Sequence, residues 1–153
     1  MRLKKQEGIA LLRSVWLFER CTNKELSSLS SIATPLDVPA GKVLMTEGET
    51  GREFFVLVKG KAEATRGGVS VGVLGAGSFF GEMALLDKKP RTATVTTLEP
   101  TTLLVITAGA FNGLVATMPS VDRKMLIVMA ERLRDIETRF VPAESRITNP
   151  DVT

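Results

Sequence analysis

The sequence predicts an α+β fold, mainly β: a small antiparallel roll or barrel between N-terminal and C-terminal helices. Three observations predict it. Short β-type runs punctuated by glycine fill residues 36–106. Apolar residues at helical spacing precede and follow that block. The length of 153 residues, with 44% hydrophobic and 24% charged, suits one domain around one sizeable core.

The first helical segment is expected over residues 9–34. Leu11, Leu12, Val15, Trp16 and Phe18 form a dense apolar group. Thr22-Asn-Lys-Glu25 matches a capping box, in which hydroxyl and carboxylate each accept from a backbone N–H at a helix start. Leu26, Leu29 and Ile32/Ala33 follow at helical spacing, and Pro35 closes the segment.

Strands are expected next. Lys42-Val-Leu-Met-Thr46 precedes a turn at residues 47–51, and Phe54-Phe-Val-Leu-Val58 turns at Lys59-Gly60 into Lys61-Ala-Glu-Ala-Thr65. Gly67-Gly68 separates this from the alternating run Val69 to Leu74. Thr92 to Leu98 and Thr101 to Ile106 are Thr/Val-rich and divided by Glu99-Pro100. Regularly spaced short strands of this kind close into a small roll.

Helices return over 108–140. Thr107 can cap Ala108 to Val115, and a longer helix follows Pro119. Leu126, Met129, Leu133, Ile136 and Phe140 recur along it at spacings of 3, 4, 3 and 4. This seam suits packing against the parent domain, a lid over a ligand, or a homodimer contact. Residues 1–141 are read as the domain and 142–153 as a polar tail or linker.

Composition excludes several functions. No histidine occurs, which removes Ser-His and Cys-His catalysis. Cys21 is the only cysteine, so an intrachain disulfide is excluded and a zinc site is not expected. No acid/base pair or activated nucleophile is evident, and no enzymatic role or cofactor is expected. No run reaches the ~18 apolar residues of a membrane span, and a cytoplasmic protein is expected. The net charge of +3 includes no dense basic block beyond the N-terminus, which gives no argument for nucleic acid.

Residues 77–95, GSFFGEMALLDKKPRTATV, interrupt the strand pattern. Gly81 to Leu86 reads as one or two helical turns, whose first N–H groups can face an anion. Arg91 can donate a charge-assisted pair of hydrogen bonds to a phosphate. Glu82 can accept from a sugar hydroxyl. Two readings stand from the residues alone: a turn-spanning ion pair, or a site for one phosphate beside one sugar hydroxyl. No P-loop motif is present, so the second reading points to a monoanion rather than a nucleoside triphosphate.

Phe80-Gly-Glu-Met-Ala-Leu-Leu86 followed by Pro90-Arg-Thr-Ala-Thr-Val95 resembles the phosphate-binding cassette of cyclic nucleotide-binding domains. Val38 to Gly48 and Phe54 to Glu63 resemble that family's early strands, and Leu12 to Phe18 with Glu25 to Leu29 its N-terminal helices. The resemblance covers roughly residues 10–140. It implies an eight-stranded antiparallel β-roll of jelly-roll type that binds cAMP or cGMP. By position it implies Arg91 on the cyclic phosphate, Glu82 on the ribose 2′-OH, and backbone amides from Gly81, Met83 and Ala84, with Phe80 beside them. Met83 stands where leucine is more usual. Thr92 would reach the phosphate or the purine, leaving cAMP versus cGMP open. Val71 and Val73 would wall the base or serve the core. The C-terminal helix would cap the base through Leu133 or Ile136, or by stacking of Arg132 or Arg134.

Four roles follow. The first is a regulatory sensor whose C-terminal helix shifts on ligand binding, read by a protein effector or fused domain. The second is a DNA-binding regulator; the 13 residues after Phe140 are too few for a helix-turn-helix, so no direct DNA binding is expected. The third is a regulatory fragment of a channel, kinase or transferase. The fourth is a structural relative that binds no nucleotide.

Overall fold

The computed structural model of the chain describes residues 5–81 and 89–140. It opens with helix α1 (Lys5–Ser14), a 3-10 turn (Trp16–Phe18) and helix α2 (Asn23–Ile32). Eight strands follow: β1 (Thr34–Val38), β2 (Val43–Met45), β3 (Glu53–Lys59), β4 (Ala62–Arg66), β5 (Val69–Leu74), β6 (Phe79–Phe80), β7 (Thr94–Thr97) and β8 (Thr101–Thr107). Helices α3 (Ala108–Val115) and α4 (Pro119–Phe140) complete the described chain. The strands pair antiparallel in two four-stranded sheets, ordered β1-β8-β3-β6 and β2-β7-β4-β5. This is the expected β-roll with flanking helices.

The unbroken apolar run of β3 reflects burial on both faces. Successive side chains point to opposite sides. Phe55 and Leu57 enter the space between the sheets with Val38, Ala62, Phe80, Val95 and Leu103. Phe54 and Val56 face the helices with Leu104 and Ile106 of β8. A chain of rings crosses this second layer. Trp16 meets Phe79 at 5.1 Å, Phe79 meets Phe54 at 5.6 Å, and Phe54 meets Phe18 edge-on at 5.8 Å.

Helix α1 begins by Lys5 rather than at residue 9. A Cβ on Gly8 would lie 2.5 Å from Ser30 Oγ, so its missing side chain lets α1 lie against α2. Pro35 falls within β1 at a sheet edge, where its missing N–H is tolerated. Strand β6 had no sequence signature of its own.

The capping box forms as predicted. Thr22 Oγ1 accepts from Glu25 N at 3.1 Å, and Glu25 Oε1 accepts from Thr22 N at 2.8 Å. The same buried carboxylate also accepts from Ser120 Oγ and Lys124 Nζ of α4, both at 2.9 Å. A second ion pair, Arg20 to Glu131 at 2.6 Å, joins the loop after the 3-10 turn to α4.

The predicted seam does not dock α4 on the domain. Leu126 and Leu133 are 66% and 65% exposed. The buried stripe is Val121, Met125 and Val128, with Met129 at its flank. Positions i, i+4 and i+7 share one helical face, and Leu126 and Leu133 lie roughly 100° or more around from its centre. The side chains of Ile136 and Phe140 lie outside the described residues. Among the described residues no helix is long and apolar enough to cross a membrane.

Candidate functional site

A cavity of about 240 Å³ is lined by residues of β2, β4, β5, β6 and β7 together with Gly51, Gly81 and residues 89–93. This lies below the roughly 300–1,000 Å³ of most ligand clefts, so it suits one small ligand. Ala64, Leu74 and Val95 give it an apolar wall, and Phe80 stacks on Phe55 at 4.9 Å to form part of its floor. Among the described lining residues stand Arg66, Lys89 and Arg91, with no carboxylate. That charge balance favours an anion.

Arg91 is fixed by its backbone before its side chain. Its N–H donates to Glu49 O at 2.8 Å, and its carbonyl accepts from Gly48 N at 2.9 Å. The turn at 47–51 therefore grips the arginine from below. The guanidinium donates from Nη2 to Glu53 O at 3.0 Å and from Nη1 toward Gly81 O at 3.5 Å. Two glycines make room for it. A Cβ on Gly51 would overlap the guanidinium. Gly81 has φ +81°, a left-handed conformation costly for other residues. A Cβ there would also lie 2.7 Å from Glu53 O and 2.8 Å from Arg91 Nη1.

Gly81→Ala is therefore expected to lower stability by about 1–3 kcal/mol and to displace Arg91. Urea unfolding alongside ligand titration checks this. Unchanged stability and affinity together would show that the niche tolerates a side chain.

The structure brings Phe80, Gly81, Arg91, Thr92 and Val71 to one cavity. Val71 and Val73 are 55% and 58% exposed, so neither serves the core. Val71 lines the cavity and Val73 is not among its lining residues. Leu133 stands exposed on α4 and contributes nothing to the wall. Glu82, Met83 and Ala84, with the short helix expected over 81–86, lie outside the described residues apart from Gly81.

Sequence reading missed Gly51 and Arg66. Gly51 sat in a Gly-Glu-Thr-Gly turn that looked like an ordinary hairpin connection, and only the packed arginine shows why it lacks a side chain. Arg66 precedes Gly67-Gly68 in a polar stretch that carries no motif. Its Nε donates to Thr92 O at 3.0 Å across the cavity rim.

The family model described as "Cyclic nucleotide-binding domain" matches residues 35–118, more than half of the chain. A CRP-like cAMP-activated global transcriptional regulator of Mycobacterium tuberculosis is 26% identical over 129 residues, covering 81% of this chain and 58% of that protein. A cyclic nucleotide-gated potassium channel of Rhizobium etli is 34% identical over 122 residues, covering 80% of this chain and 34% of the channel. The chain thus spans well under two thirds of either relative. Among solved structures, the N-terminal domain of a transcriptional regulator from Streptomyces coelicolor superposes with a TM-score of 0.76 at 27% identity, covering 87% of this chain and 96% of that one. The β-roll, its cassette sequence and these matches agree: the chain belongs to the cyclic nucleotide-binding domain family.

Proposed function

We propose that the chain is a sensor module that binds a 3′,5′-cyclic nucleotide and transmits occupancy through its C-terminal helix. The observation that carries this reading is Arg91, gripped by the 47–51 turn and set between Gly51 and Gly81 in a cavity whose described lining residues include no carboxylate. In this reading the guanidinium and the Gly81, Met83 and Ala84 amides take the phosphate, and Glu82 takes the ribose hydroxyl. Val71, with Val73 beyond it on the same strand, and Phe80 border the base.

The aromatic chain supplies a route for the signal. Phe79 lines the cavity two residues before Gly81, and its ring lies against Trp16. The 3-10 turn bearing Trp16 packs against α4. A ligand held at Gly81 and Arg91 would bias Phe79, then Trp16, then the seat of α4. Leu133 and its neighbours would meet the base only in a state where α4 has moved. The output is read by a partner or by a larger protein that carries this module. Cyclic nucleotide binding needs no enzymatic chemistry from the chain.

Trp16 is the only tryptophan, so its fluorescence reports on this route. Titration with cAMP or cGMP is expected to give a saturable emission change. Calorimetric binding with silent Trp16 emission would overturn the route through Phe79.

A further inference from the structure

Arg66 has no place in the reading above, although it lines the same cavity. It ends a row on β4 that runs outward from buried Ala62 through half-buried Ala64, residues two apart and so on one face. The row changes from apolar floor to guanidinium at the rim. Ala64, Val71 and Leu74 form the apolar portion of the lining beside it, the surroundings a purine ring needs. Arg91 lies against Gly51 and Gly81, where the proposed reading puts the phosphate.

The Nε–H of Arg66 donates to the Thr92 carbonyl at 3.0 Å, which fixes the plane of its guanidinium. The Nη groups carry its other four N–H donors. A guanidinium fork matches O6 and N7 of guanine, both acceptors, and opposes the N6 amino group of adenine, a donor. The Thr92 hydroxyl donates and accepts, so it suits either base and does not decide between them.

We propose that Arg66 reads the base edge and makes the site select a 6-oxopurine cyclic nucleotide over cAMP. This rests on the cyclic nucleotide reading of the site. The test is calorimetry with cGMP, inosine 3′,5′-cyclic monophosphate and cAMP on wild type, Arg66→Ala and Arg66→Gln. Gln keeps a donor for the Thr92 carbonyl while removing the charged fork.

Wild type is expected to bind both 6-oxo ligands about tenfold or more tightly than cAMP. Both variants should lose that ratio, the 6-oxo ligands losing about tenfold more affinity than cAMP. Three results would overturn the proposal: a wild-type preference for cAMP, a preference that survives in the variants, or an equal loss for all three ligands. The last would place Arg66 on the phosphate or in the framework. Failure of wild type to bind any cyclic nucleotide is a different outcome and removes the underlying function.

Discussion

Arg91→Ala is expected to weaken cyclic nucleotide binding by about 2–5 kcal/mol, a loss of about 30-fold to several thousandfold. The charge is the reason. A cyclic phosphate leaves water when it enters the cavity, and Arg91 is the cation that the 47–51 turn and the two glycines place at its mouth. Removing the guanidinium takes from that anion the charged partner held between Gly51 and Gly81. Arg91 also donates to the Glu53 carbonyl, so the variant should lose about 1 kcal/mol of stability as well. Arg91→Lys separates the two effects, since it keeps the charge but not the planar fork. It should fall between wild type and alanine. Calorimetry on the three proteins reads the order; equal affinities would remove Arg91 from the phosphate.

Glu25→Gln is expected to cost about 2–3 kcal/mol of folding stability at neutral pH. Burial alone would raise the Glu25 pKa. The Thr22 backbone N–H, the Lys124 ammonium and the Ser120 and Thr22 hydroxyls outweigh it and hold the carboxyl at about 2. The group is thus more acidic folded than unfolded, where its ordinary value is 4.5. Its stabilisation is complete above pH 4.5 and is lost as pH falls toward 2. The gap between wild type and Glu25→Gln should therefore narrow by about half or more between pH 7 and pH 3. Urea denaturation at the two pH values measures it, and a gap independent of pH would contradict the role of the charge. The same carboxylate caps α2 and seats α4, so the variant should also raise hydrogen exchange in the first turns of α4.

Local signals in the sequence translated directly into structure. The Thr22–Glu25 box, the Val69–Leu74 strand and the two-faced run of β3 depend on neighbours in sequence and on burial pattern, and they lie where expected. Features set by distant partners did not. Glu25 reads as a helix cap until Lys124, 99 residues away, arrives beside it. The apolar spacing from Leu126 onward looked like the docking face because Leu126 and Leu133 are large. The smaller Val121 and Val128, with Met125, fill the space against the 3-10 turn instead. The cassette string made Gly81, Arg91 and Thr92 legible. Gly51 and Arg66 joined the cavity only through pairings between separate strands and turns, which no short stretch encodes.

Titration calorimetry with cAMP, cGMP and 5′-AMP tests the central claim most directly. A cyclic phosphodiester carries one negative charge, whereas a phosphate monoester approaches two near neutral pH. A niche in which Arg91 faces the phosphate of a closed ribose-phosphate ring should bind at least one cyclic nucleotide about tenfold or more tightly than 5′-AMP. Binding of 5′-AMP as tight as that of both cyclic forms, or no binding of any, would contradict it.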